Sequence, residues 1–275
     1  MPELPELEVL KEVLERRVVG REITAVRVLR PGVLRIVGTP VETLNGNSFG
    51  EVSRRGKHLV LSVNRGLHMV IHLMTAGRLV ISRSNTRATK ATSLMVAFSD
   101  GDDLRLIENG PVKLVRVHMV KDPLQVKGIA QQGIEPLSSA LTVDALGDLV
   151  AGRRRQAKRL LTDQKTIAGI GSAYADEILF DAKISPVRYV NTLCSMEIEQ
   201  LCRSITKVLQ NAIGQIRIRI GDSLFTDEIR DFMQVYKRTG QACLVCGTEI
   251  AEIRYANTHT YYCPRCQGSR KNTLH

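Results

Sequence analysis

Apolar residues recur along this chain with two periods, and the changes of period divide it. Leu7, Leu10, Leu14 and Val18 follow one another at steps of three and four. That spacing predicts a helix near the N-terminus, with Pro5 in the first turn, where a missing N–H removes no bond. From about residue 20 to 120 the apolar stretches shorten to β-type runs at 23–29, 49–53, 59–63, 68–73, 79–82, 94–98, 104–107 and 114–120. Turn formers such as Asn64-Arg65-Gly66 and Ser99-Asp100-Gly101-Asp102 separate them. Eight short strands predict a β-sandwich behind the N-terminal helix. Residues 121–141, with Pro123, Gly128, Gly133 and Pro136, read as a linker. Beyond it the period is helical at 143–149, 157–161, 174–180 and 196–213, with Ser195 as N-cap before Glu197 and Glu199. The expected fold is α+β and multidomain: an N-terminal helix plus β-sandwich over 1–120, a linker over 121–141, a helical domain over 142–236, and a cysteine-bearing tail over 237–275.

Composition narrows the function. The chain has 275 residues, enough for two ordinary cores, and 43% hydrophobic with 24% charged residues describes a soluble globular protein. No apolar run has the length of a membrane span, and the N-terminus lacks a basic-then-apolar leader, so a cytoplasmic location is expected. Lys and Arg exceed acidic residues by 39 to 28, a formal charge of +11 that suits a polyanionic partner. Aromatic residues are 4% with no Trp, which argues against stacking platforms for single strands. Six cysteines in such a chain favour metal or free thiols over disulfides. Cys243-x2-Cys246 and Cys263-x2-Cys266, 16 residues apart, have the spacing of a ribbon holding one Zn²⁺ per chain. Four protein thiolates leave no open position, so that ion is structural. Cys194 and Cys202 lie in a helical pattern and read as inert apolar residues.

Two further stretches carry candidate chemistry. Removal of Met1 would make Pro2 a terminal secondary amine beside Glu3 and at the positive end of the first helix, a potential that lowers an amine's pKa. A neutral amine adds to an aldehyde-like sugar carbon and gives an iminium. Proline behind methionine also simply starts a helix well, and with Met1 retained Pro2 is an amide; both readings stay open here. Gly169-Ile170-Gly171, directly before a helix, exposes N–H groups where a phosphate binds, or is a tight interhelical turn.

Taken together, Pro2-Glu3-Leu4-Pro5-Glu6, the 164–180 segment QKTIAGIGSAYADEILF and the four-cysteine tail resemble the formamidopyrimidine-DNA glycosylase and endonuclease VIII family of base-excision repair enzymes. The resemblance runs in order over nearly the whole chain. It implies a β-sandwich, a helix-two-turns-helix DNA-binding domain and a zinc ribbon that grip double-stranded DNA carrying damaged bases or abasic sites. It further implies a monomer, nucleoid-associated in a bacterium. Pro2 is then the nucleophile at the deoxyribose anomeric carbon, Glu3 the general acid that opens the sugar ring, Glu6 a second carboxylate fixing the pocket or a water, and Lys57 a phosphate-binding lysine on a strand, flanked by the basic Arg54 and Arg55. Glycosylase and abasic-site lyase activities share one amine, and β,δ-elimination cuts the strand.

In the helical half Ser172 stands where relatives carry Asn, and Tyr174 and Glu177 match the family's Tyr-Ala-Asp-Glu; Glu177 is expected to cap the Gly169–Gly171 turn. Tyr174 has the alternative of being an ordinary helix residue. Met74, in His72-Leu73-Met74-Thr75-Ala76-Gly77, is a candidate void filler one position off the family's methionine. The Arg and Phe expected in Glu108-Asn109-Gly110-Pro111-Val112-Lys113 are absent, and Asn257 stands near the place of a phosphate-gripping Arg in the ribbon. The 214–236 segment is short for the loop that covers oxidised purines. The alternative function is a non-catalytic DNA-binding clamp.

Overall fold

The computed structural model describes residues 1–35, 39–64, 66–224, 228–255 and 258–268. Their contacts form two compact units, Met1–Gln131 with Ile216–Ile229, and Gln132–Gln215 with Arg230–His275.

The first unit opens with α1 (Leu4–Val18), whose Leu7, Leu10, Leu14 and Val18 are all buried, as their spacing requires. Eight strands follow: β1 (Ile23–Val28), β2 (Phe49–Arg55), β3 (His58–Val63), β4 (Leu67–His72), β5 (Gly77–Arg83), β6 (Thr92–Phe98), β7 (Asp102–Glu108) and β8 (Arg116–Val120). Each overlaps one expected run. They pair antiparallel into two four-stranded sheets, β1-β6-β7-β5 and β2-β3-β4-β8. Leu59 and Leu61 on β3, Met69 and Ile71 on β4, and Val117 and Met119 on β8 alternate inward and meet Leu104 and Leu106 of the other sheet and Leu7, Leu10 and Leu14 of α1. Burying each such side chain contributes about 1.5–3 kcal/mol. The same alternation leaves Val60, Val70 and Val120 on the second sheet's outer face, where they pack with Val126 and with Ile129 of the short helix α2 (Lys127–Ala130). Cover on both faces explains why β3 reads as an almost unbroken apolar run.

The expected linker over 121–141 is therefore ordered in its first half: Asp122 caps a 3-10 turn at Pro123–Gln125, and α2 seals the sheet. Residues 216–229 join this unit because Arg217 binds Glu12 at 2.7 and 2.9 Å and Arg16 binds Asp222 at 2.7 Å. Contacts thus divide the chain differently from the borders drawn at 120, 141 and 236.

The second unit carries α3 (Val143–Val150), α4 (Ala157–Thr162), α5 (Ser172–Asp181) and most of α6 (Ser195–Ile220), then the hairpin β9 (Ala251–Tyr255) and β10 (Thr258–Tyr262). Ser195 is the first residue of α6 rather than its cap; Glu197 caps from inside, its carboxylate accepting the Cys194 N–H at 2.9 Å. Cys194 lies exposed ahead of the helix, outside the helical pattern assigned to it, while Cys202 is buried in α6. The helix continues past the expected end at 213, so residues 214–220 are helical and the connection to the ribbon begins only at residue 221. A buried ion pair joins helices to hairpin. Lys158 Nζ lies 2.7 Å from Asp176 Oδ1 and donates to His259 O at 2.8 Å, and Asp176 Oδ2 accepts the Tyr261 N–H at 3.1 Å. Among the described residues no helix is long and apolar enough to cross a membrane.

Candidate active site and zinc ribbon

In the first unit, Pro2, Glu3 and Glu6 are all buried at the start of α1. Glu3 is the N-cap of the helix and forms a capping box with Glu6, whose Oε2 accepts the Glu3 N–H at 2.9 Å. The two carboxylates are thereby fixed relative to one another. The Met1 ammonium lies 3.3 Å from Glu228 Oε1, which also accepts from Arg78 at 3.1 Å.

Lys57 is placed differently from the expectation of a strand residue. It occupies the two-residue hairpin turn between β2 and β3 after Gly56, whose φ of +53° suits glycine, and it is buried. Arg54 ties that hairpin to α1, with Nε donating to Glu8 Oε2 at 2.8 Å and Nη1 to Gly56 O at 3.0 Å. Its side chain keeps only 7% of its surface exposed and is paired with Glu8. Arg55, the last residue of β2, is half-buried.

Three histidines missed by sequence reasoning cluster beside this turn. The His58 and His72 rings meet edge to face at 4.6 Å. Burial, and then the neighbouring His72 and His118, hold His58 neutral down to about 3. Burial, then Lys57 and Arg116, hold His72 neutral down to about 4. A period-two count along β3, β4 and β8 sets His58, His72 and His118 on one sheet face, the signal that was available. Half-buried Met74 lies in the turn between β4 and β5. Glu108 is buried at the end of β7, accepting from Arg30 Nη2 at 2.7 Å and from the Val115 N–H at 3.0 Å, and so organises the loop that lacks the expected Arg and Phe.

In the second unit, the Gly169–Gly171 turn is held by Gln164, whose Oε1 accepts the Gly169 N–H at 2.9 Å and whose Nε2 donates to Ile170 O at 2.7 Å. Only Gly169, at φ +82°, needs glycine for its conformation; Gly171 is the N-cap of α5. Glu177 does not cap this turn. It is buried and accepts N–H groups of Gln234, Val235 and Tyr236 at 2.8 to 2.9 Å, while burial raises its pKa. Ser172 Oγ donates to His259 O at 3.3 Å. The Tyr174 side chain is fully buried in α5. Asn257 lies outside the described residues.

The ribbon cysteines converge. The sulfurs of Cys243, Cys246, Cys263 and Cys266 all lie within 4.8 Å of one another, with Cys243–Cys266 at 3.9 Å and Cys246–Cys263 at 3.4 Å. A tetrahedral Zn²⁺ with Zn–S near 2.3 Å requires sulfurs about 3.8 Å apart, so the donor set fits zinc and fills its coordination. Gly247, at φ +74°, closes the first knuckle, with its N–H donating to Cys243 O at 2.9 Å. Gln267 ties the second knuckle to the helices, accepting from the Cys263 N–H at 2.8 Å and donating to Ile184 O at 3.0 Å.

Three family profiles match the chain in order: "Formamidopyrimidine-DNA glycosylase N-terminal domain" over residues 1–109, "Formamidopyrimidine-DNA glycosylase H2TH domain" over 132–222, and "Zinc finger found in FPG and IleRS" over 240–268. The formamidopyrimidine-DNA glycosylase of Pelotomaculum thermopropionicum is 35% identical, the match covering 97% of this chain and 99% of that one. That of Listeria innocua is 32% identical over 97% and 100%. Among solved structures, a Lactococcus lactis FPG variant bound to Fapy-dG-containing DNA superposes with a TM-score of 0.88 at 28% identity, covering 98% of this chain and 100% of that one. The Lactococcus lactis enzyme bound to abasic-site DNA gives 0.86 at 27% identity over 96% and 99%. With the zinc donor set and the buried Pro2-Glu3-Glu6 start in place, these matches show that the chain belongs to the formamidopyrimidine-DNA glycosylase family and is a DNA glycosylase of base-excision repair.

Proposed function

We propose that the protein is a bifunctional DNA glycosylase and abasic-site lyase acting on duplex DNA. The observation that carries this reading is the buried Pro2-Glu3-Glu6 start of α1, with the Lys57 hairpin tied to the same helix through Arg54 and Glu8. After Met1 is removed, the Pro2 amine attacks the sugar C1′ and the C1′–N bond to the base breaks, the base leaving with its electron pair and taking a proton. Glu3 protonates the ring oxygen, the ring opens, and an iminium forms. That cation acidifies the neighbouring C2′ proton, whose loss expels the 3′ phosphate; a second elimination expels the 5′ phosphate. Glu6 keeps Glu3 and the Pro2 nitrogen in register through the capping box, and Lys57 supplies positive charge for a phosphate. Arg55, Ser172, Met74 and the N–H groups around Gly169 and Gly171 are proposed DNA contacts, as is Asn257. The zinc holds the ribbon and takes no part in the chemistry. Abasic sites are the first substrate to test, because they require no base recognition.

Borohydride added to Pro2-terminated protein and abasic-site duplex is expected to trap a covalent adduct that Pro2→Gly weakens and an acetylated terminus abolishes. Absence of an adduct from protein whose terminus is verified by mass spectrometry would refute the nucleophile. Salt-dependent binding without incision would then favour the clamp.

A further inference from the structure

An iminium at Pro2 requires the loss of a proton that neither Glu3 nor the leaving base takes up. A neutral secondary amine that has added to C1′ carries four bonds and a positive charge, and it shares a second pair with carbon only after its N–H proton has left. Glu3 is giving its own proton to the ring oxygen in that step, so a different group must accept.

Glu228 stands where such an acceptor is needed. Residues 216–229 belong to the first unit, and Glu228 Oε1 lies 3.3 Å from the Met1 nitrogen. Three bonds separate that nitrogen from the Pro2 nitrogen, which sets the two about 3–4 Å apart at any Met1 torsion. Glu228 Oε1 is therefore no more than about 7 Å from the nucleophile. One water that accepts from the amine and donates to the carboxylate spans about 5.5 Å, and the position of the Met1 nitrogen suits it.

The carboxylate is held from its other side. Arg78, the second residue of β5, donates from Nη1 to Gly77 O at 2.8 Å and to Thr75 O at 3.3 Å, and from Nη2 to Glu228 Oε1 at 3.1 Å. The Arg78 side chain is 12% exposed and that of Glu228 21%, so the pair is sheltered yet open to a water. Among the described residues the charged groups facing Glu228 are the terminal ammonium and Arg78.

We propose that Glu228 is the acceptor of the Pro2 N–H proton, oriented by Arg78 and reached through one water once Met1 is gone. The inference rests on Pro2 being the nucleophile, as proposed above. The nitrogen pair forms the N–C1′ bond. The N–H bond then breaks, its electrons stay on nitrogen, and the proton passes to the water as the water gives one to Glu228. The freed pair makes the N=C1′ bond while the C1′–O4′ electrons go to oxygen, which takes the proton of Glu3. Hydrolysis of the iminium runs the relay backwards and returns the carboxyl proton to nitrogen. The transfer belongs to the amine, so an abasic site requires it as much as a damaged base does.

The test follows borohydride trapping on abasic-site duplex in single turnovers. It uses zinc-loaded full chains whose Pro2 terminus is verified by mass spectrometry for every variant, because Glu228 also touches Met1. Glu228→Gln is expected to slow adduct formation about 100-fold at pH 7 and to leave duplex affinity, read by anisotropy, within about twofold. That deficit is expected to shrink by about fivefold or more towards pH 9, where hydroxide takes the proton instead. Glu228→Asp is expected to stay within about tenfold of the wild type. Glu228→Ala leaves room for a small base, so about 100 mM acetate is expected to speed it about tenfold and to leave Glu228→Gln unchanged. Adduct formation by Glu228→Gln within about threefold of the wild type, a deficit constant from pH 7 to pH 9, or no effect of acetate on Glu228→Ala each overturns the proposal, as does a loss of duplex affinity large enough to account for the slowing. Absence of an adduct from the wild type removes the nucleophile and this acceptor together, whereas a wild-type adduct with an unimpaired Glu228→Gln removes the acceptor alone.

Discussion

Replacing Lys158 by methionine leaves the Asp176 carboxylate fully buried, with the Tyr261 N–H still donating to it but the opposing cation gone. At 2.7 Å and an effective dielectric near 20 the pair attracts by about 6 kcal/mol, and withdrawing two ions from water costs several kcal/mol each. The pair is thus close to break-even as a source of stability, and its value lies in fixing β10 against α4 and α5. Removing one partner is another matter. Lys158→Met is expected to destabilise the second unit by about 3–5 kcal/mol, whereas Lys158→Met with Asp176→Leu returns to within about 1 kcal/mol of the wild type or above it.

The deficit has a predictable pH dependence. Burial raises the Asp176 pKa to about 7, with Lys158 opposing. A carboxyl raised in the folded state is favoured at pH below its unfolded value, and that advantage is lost as pH rises through the folded value. Without Lys158 the folded pKa climbs further, so the gap between Lys158→Met and wild type widens from pH 6 to pH 8. With no Trp in the chain, urea unfolding is followed by far-UV circular dichroism, with hydrogen exchange at the Tyr261 amide as a local readout. A double variant as unstable as Lys158→Met, or a gap that narrows towards pH 8, would refute the reasoning.

Three other outcomes rest on single features. Stripping the zinc is expected to unfold the ribbon, whose apparent metal-binding energy is of the order of 10 kcal/mol, and to weaken duplex binding; unchanged affinity in verified metal-free protein would count against that role. Arg54→Ala is expected to lower the first unit's stability by about 1 kcal/mol, because the Glu8 carboxylate keeps only Lys11, and to leave the slope of log affinity against log salt unchanged; a shallower slope would make Arg54 a phosphate contact. His58 and His72, depressed from 6.5 to about 3 and about 4, contribute stability that is present above pH 6.5 and lost as pH falls towards those values, by up to about 1.4 kcal/mol per pH unit for each histidine. Unfolding measured from pH 6.5 to 4.5 checks the slope, which His58→Asn should flatten.

The strands were legible because period-two alternation is a property of neighbours in sequence: Leu59, Leu61 and Val63 declare a buried face without reference to any partner. The four cysteines were legible for the same reason, since a knuckle is a local turn. Lys57 was expected on a strand but lies in the turn, because a buried lysine in a Gly-Lys hairpin turn looks like any strand-end cation. What the sequence concealed depends on distant partners. The bond from Arg54 to Glu8 and the burial of Tyr174 were not visible, and Glu177 was matched to the nearest turn although its three N–H partners arrive more than fifty residues later. The return of residues 216–229 to the first unit rests on Arg217 and Asp222 meeting α1, a pairing of charges that no composition shift announces.

That return bears on how the chain is made. Glu228, which holds the Met1 ammonium, leaves the ribosome long after α1 and the sandwich strands. Until it arrives, the leading methionine lacks that ionic contact. An aminopeptidase working on the nascent polypeptide therefore meets a more open substrate than one working on the finished protein, and slowing synthesis between residues 131 and 228 should favour trimming.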